Sequence, residues 1–137
     1  FEELRSRRSL AYTVSAYPVA RRHAGMFVGY IATSPERGDE ARGALLDELA
    51  GLRGEPPSDD ELERAKRYLI GTHQIRTQTN GAQLAELAGA LMLGRGMADI
   101  REFEARIRAV GRDEVLDAAR RWLDPERVAE GAVLGRE

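Results

Sequence analysis

The residue patterns that make strands and those that make helices lie in different parts of this chain, and that segregation limits its fold more than any other feature. From Leu10 to Pro18, Tyr12, Val14, Ala16 and Pro18 alternate with smaller or polar residues, the period of a strand. Met26 to Thr33 is rich in β-branched and aromatic residues and predicts a second strand. Arg21, Arg22 and His23 between them show no period, so the two runs read as an antiparallel hairpin with a loop of about six residues. Beyond Thr33 the period changes. Ser34-Pro35-Glu36 reads as a helix start with a capping serine, and Ala41, Leu45, Leu49 and Leu52 then form one apolar stripe. Gly54 and Pro56-Pro57 stop that helix, and Ser58-Asp59-Asp60-Glu61 is a capping box that opens a longer one. The longer helix carries Leu62, Ala65, Leu69 and Thr72 or His73 on one face and fades near Thr79-Asn80-Gly81. Three further apolar sets have helical spacing: Leu84 to Leu91, Ile100 to Val110, and Val115 to Trp122 or Leu123. Phe1 and Leu4 suggest the end of a preceding helix, and residues 128–134 a short third strand. Strands first and helices after them predict an α+β fold, an antiparallel sheet packed against a layer of helices.

Composition narrows the function. At 137 residues the chain is expected to be a single domain, residues 1–137, with enough apolar residues for one sizeable core. It opens on Phe1 and not on methionine, so it is expected to be truncated at its N-terminal side, within a longer protein. A net charge of −2 gives no basic surplus with which to displace counterions from nucleic acid. No apolar run approaches the ~18 residues of a membrane span. Lys66 is the only lysine among 21 basic residues; genomic base composition explains this most simply and suggests a bacterial source. A cytoplasmic location is favoured.

The residues of self-sufficient catalysis are missing. Zero cysteines remove thiolate metal sites and cysteine nucleophiles. The two histidines, His23 and His73, are fifty positions apart, whereas zinc peptidase motifs place two on one helical turn. No Gly-x-Ser-x-Gly elbow is present, and the acids Asp59, Asp60, Glu61 and Glu63 sit where a first helical turn wants negative charge. One constellation is left. Arg5, Arg7, Arg8 and Tyr12 straddle a helix-to-strand junction. An arginine fork and a tyrosine hydroxyl can hold a peptide carbonyl if another part of the protein supplies the attack. A solvated basic patch beside a core tyrosine accounts for the same spacing.

A resemblance bears on that choice. Phe1-Glu2-Glu3-Leu4-Arg5-Ser6-Arg7-Arg8-Ser9-Leu10-Ala11-Tyr12-Thr13-Val14-Ser15-Ala16-Tyr17 resembles a segment of pitrilysin-type zinc metallopeptidases, the family of insulin-degrading enzyme and the mitochondrial processing peptidase. Gly25 to Arg37 is similar to the strand and helix start that follow in that family, and Ser58 to Gly71 to a later helix. The resemblance is to the second, non-catalytic ("inactive") domain, and it runs in order along essentially the whole chain. It implies a clamshell whose other half carries an H-x-x-E-H zinc site, so that no cofactor is expected in this chain and zinc is expected in the partner catalytic half. It also implies that Arg5 and Tyr12, seven positions apart, contact the substrate near the scissile bond. Ser9 departs from the usual glycine. The implied function is the non-catalytic half of a zinc endopeptidase, closing a peptide-binding chamber, this chain alone being inactive. The alternative is a structural or assembly protein of the same fold with no proteolytic role. Upstream strands of the same sheet are expected to be missing from this chain, which would leave an edge open for another chain or a second copy in a homodimer.

Overall fold

The computed structural model describes residues 11–133. Two eight-residue strands, β1 (Thr13–Ala20) and β2 (Gly25–Ala32), form an antiparallel hairpin, and among the described residues they are the whole sheet. The loop is shorter than the sequence suggests, since the Arg21 N–H already donates to the Ala24 carbonyl at 2.8 Å. That bond, with strands of equal length, sets Thr13 opposite Ala32 and Val14 opposite Ile31. The expected helix at residues 1–9 lies outside the described residues.

The chain divides into two compact units. One takes in the chain through residue 19, residues 26–55 and the chain from residue 116 onward; the other is residues 20–25 and 56–115. In the first unit, a 3-10 turn at Pro35–Arg37 leads into helix α1 (Gly38–Gly54). Ser34 makes no side-chain cap here. The turn is closed instead by the Arg37 N–H on the Ser34 carbonyl at 3.1 Å, a tighter start than the expected cap. Helix α1 buries Ala41 and Ala44, and Val14, Ile31 and Leu45 pack around Ala44. Leu45 and Leu49 also lie over Gly29, where a Cβ would sit 3.5 Å and 3.6 Å from their methyl carbons. The expected α+β arrangement of a sheet against helices is therefore present.

The expected third strand is not. Residues 128–133 are neither strand nor helix, and Val133 is fully exposed. With no apolar burial to drive pairing, this stretch is tied down by side chains, Arg42 of α1 forking onto both carboxylate oxygens of Glu130. The fork and its charge hold the Glu130 carboxyl below the usual carboxylate range.

The second unit holds α2 (Asp59–Arg76), α3 (Asn80–Met92), α4 (Met97–Arg101) and α5 (Phe103–Ala109). Helix α2 opens on the expected capping box. Ser58 Oγ accepts from the Glu61 N–H at 3.3 Å, while the Glu61 carboxylate accepts from the Ser58 N–H at 2.9 Å. Its buried face runs through Leu62 and Ile70, with Lys66 and His73 beside them, so the expected Ala65 and Leu69 positions are instead exposed. Thr79 caps α3 through the Ala82 N–H. The single helix expected over 98–110 is two. Glu102, at ψ 2°, interrupts it, although the Glu102 and Arg106 amides keep their helical partners across the break. Helix α6 (Arg112–Trp122) straddles the division and buries Leu116 and Ala119. Trp122 does not join that face: it is exposed under the Arg121 guanidinium, 4.8 Å from the ring centre.

These contacts set two stability outcomes. Gly29→Ala should raise stability by about 0.4–1 kcal/mol in urea unfolding, because the new methyl meets Leu45 and Leu49 at ordinary contact distance and the unfolded chain loses freedom. Ser58→Ala should cost about 1 kcal/mol near neutral pH. The Ser58 hydroxyl, then its N–H, lowers the Glu61 pKa in the folded state, so this stability is present above the ordinary glutamate value and lost as pH falls through the lowered one. Urea melts should therefore show the Ser58→Ala deficit shrinking on acidification.

Candidate substrate-contacting site

Tyr12 stands at the mouth of β1, and the local backbone explains its position. Its N–H donates to the Ala32 carbonyl at 2.8 Å, although Thr13 already faces Ala32 in the hairpin register. Two residues thus oppose one, the arrangement of a β-bulge, which re-aims a side chain where pairing ends. Tyr12 is 76% exposed, and its hydroxyl has no hydrogen-bond partner among the described residues. The core-tyrosine reading of this residue therefore fails. Arg5, Arg7 and Arg8 lie outside the described residues.

Beyond the bulge, one face of the hairpin is turned away from α1. Side chains alternate along a strand, and Val14, Gly29 and Ile31 lie against α1, so positions 15, 17, 19 and 26, 28, 30 occupy the opposite face. Tyr17, Met26 and Tyr30 there are exposed. Neither strand contains a charged residue, in a chain that is 32% charged. The sequence does not disclose this face, because each strand, read singly, shows alternation but not which side α1 covers.

Several charged residues are engaged elsewhere. In the first unit Arg120 donates from Nε to the Arg53 carbonyl at 3.1 Å, at the open C-terminal end of α1. In the second, Lys66 Nζ reaches Glu63 at 2.9 Å and the Arg108 carbonyl at 3.1 Å. His73 Nε2 lies 2.6 Å from Glu86 and its ring stacks on Phe103 at 4.1 Å. In a depression of about 500 Å³ beside Phe103 and Ile107, Arg106 pairs with Asp99 and Glu114 accepts from the Gly111 N–H. No three His, Asp or Glu side chains gather as a metal site among the described residues. Nor is any described helix long and apolar enough to cross a membrane.

Residues 1–69 match the family model of the peptidase M16 inactive domain, and the chain belongs to that family. Over 120 residues it is 28% identical to an uncharacterized zinc protease of Streptomyces coelicolor, covering 88% of this chain and 26% of that protein. The fold matches the peptidase M16 inactive domain from Pseudomonas fluorescens with a TM-score of 0.77 at 22% identity, over 90% of this chain and 29% of that one. It also matches the inactive peptidase domain of a Bordetella parapertussis protein, with a TM-score of 0.76 at 23% identity, over 96% of this chain and 70% of that one. The chain thus spans about a quarter of the length of its Streptomyces relative.

Because the Tyr12 side chain is exposed and its hydroxyl unpartnered among the described residues, Tyr12→Phe should leave the free energy of unfolding within about 0.5 kcal/mol of the parent, measured by thermal unfolding.

Proposed function

We propose that this chain is the non-catalytic half of a zinc-dependent endopeptidase, closing the peptide-binding chamber of a catalytic half and positioning the substrate with Arg5 and Tyr12. The observation that carries this reading is Tyr12, a tyrosine 76% exposed at the bulged entrance of β1. A phenol left in water contributes little to folding, and a donor held there by backbone pairing is ready for a ligand. The role of Arg5 rests on its separation from Tyr12 and on family membership.

On this reading the partner half, on the same polypeptide or another, binds zinc through its H-x-x-E-H motif, and the metal supplies the Lewis-acid chemistry of peptide hydrolysis. This chain contributes hydrogen bonds. The Tyr12 hydroxyl donates to the substrate carbonyl oxygen and strengthens that bond as negative charge develops there. The Arg5 guanidinium, a planar fork, fixes the peptide through paired donors and adds positive charge. Both groups are more useful in a site closed to water, where the effective dielectric is lower.

The test uses the intact enzyme with both halves. Tyr12→Phe removes one hydroxyl and should lower kcat/KM about 10²–10³-fold. Arg5→Ala should do likewise, and Arg5→Lys should restore little, because an ammonium cannot reproduce the fork. Unchanged kcat/KM in Tyr12→Phe would overturn the positioning role of Tyr12, and unchanged kcat/KM in Arg5→Ala as well would favour a structural or assembly role.

A further inference from the structure

We infer that the uncharged face of the hairpin is a specificity surface that selects substrate segments carrying uncharged apolar or aromatic side chains. The inference rests on the reading that this chain faces a peptide substrate, and it adds which peptides.

The first ground is charge. Along the open face Tyr17, Val19, Met26, Val28 and Tyr30 offer apolar bodies, two phenol groups and a thioether, and neither strand contributes a charge. A carboxylate or ammonium laid between the strand ends would lose water and gain no ionic partner from the strands, Arg21 and Arg22 lying beyond them in the exposed loop, at a cost of several kcal/mol when fully desolvated. A leucine, phenylalanine or methionine side chain would lose only unfavourable hydration. Tyrosine and methionine also suit varied partners, the one rigid and amphipathic, the other flexible and polarisable.

The second ground is size. Eight residues at ~3.4 Å and two strands at ~4.8 Å make a footprint of roughly 260 Å², far below the ~800 Å² per partner of a stable interface. A second copy of this chain would need surface beyond these two described strands. An extended peptide of about eight residues matches its length, and alternate side chains would meet it. The third ground is continuity. Tyr12 stands at the Thr13–Ala32 end of the same hairpin, so a peptide that reaches it is already at one end of the face.

The experiment measures kcat/KM of the intact enzyme on matched peptides that differ only away from the scissile bond, in apolar, acidic or basic residues. The parent should prefer the apolar peptide by about tenfold or more. Tyr30→Glu should shift preference toward the basic peptide, and Met26→Lys toward the acidic one, each by about tenfold, with melting temperatures unchanged. A merely structural role would not give shifts of opposite sign. Tyr12→Phe should lower turnover on all three peptides alike. If preference is unmoved by both face substitutions while Tyr12→Phe still lowers turnover, the specificity surface is refuted and the positioning role stands. If preference shifts and Tyr12→Phe has no effect, the positioning role fails and the surface stands. Sedimentation showing a dimer that Tyr30→Glu dissociates would identify a second copy as the occupant and overturn the inference.

Discussion

Helix α1 can press onto the hairpin because the residues where they meet are small. Ala41 and Ala44 are the buried residues of the helix, and Gly29 is the strand residue beneath Leu45 and Leu49. Larger side chains at these positions would hold the helix off the sheet and break the contact of Val14 and Ile31 with Ala44. That one packing decides which face of each strand is covered. Every property of the opposite face follows from it, because a side chain two residues along a strand returns to the same side.

The same contact explains what was legible in the sequence. Helix limits marked by local chemistry can be read directly: Gly54 with two prolines after α1, and the Ser58–Glu61 box before α2. Both act within one turn of backbone. Features that depend on distant partners cannot. Leu69 and Ala65 fit a helical stripe as well as Ile70 does, yet α2 turns Ile70 inward, with Lys66 against α5 through the Arg108 carbonyl. The alternation at 128–134 resembles a strand, but strand formation needs a neighbour, and Arg42 holds Glu130 instead. Glu102 gives no breaker signal of its own; glutamate is a good helix former. Of the candidate site, the residue types and spacing of Arg5 and Tyr12 were readable, whereas the bulge that exposes Tyr12 is visible only once β2 is in register.

Charge is distributed to complement this frame. Arg120 satisfies open carbonyls of α1, Lys66 does so at the end of α5, and Arg112 reaches the Pro57 carbonyl ahead of α2. The first two bonds place cations at carbonyls that a helix leaves without partners, at the negative end of its dipole. Lys66 has a side chain only 13% exposed, and its ammonium meets two acceptors from different elements. Three rotatable donors on a flexible stem suit that geometry. The sole lysine in an arginine-rich chain thus has a structural occupation, independent of the base composition that favours arginine elsewhere.

A domain that lacks a metal can still influence hydrolysis if it controls what surrounds the reacting peptide. Hydrogen-bond donors fixed before the reaction lower the barrier without reorganising during it, and apolar surface away from the bond contributes binding energy that orients the chain. The two demands conflict on one surface. Donors need polar groups held rigidly, and apolar selection needs those groups kept away. The hairpin separates them along its length. The bulge at Tyr12 places a tyrosine at one end, where ladder pairing stops, and beyond Thr13 the regular alternation presents side chains alone on the open face. On the proposed reading, a peptide would meet polar chemistry and apolar selection in sequence along the same pair of strands.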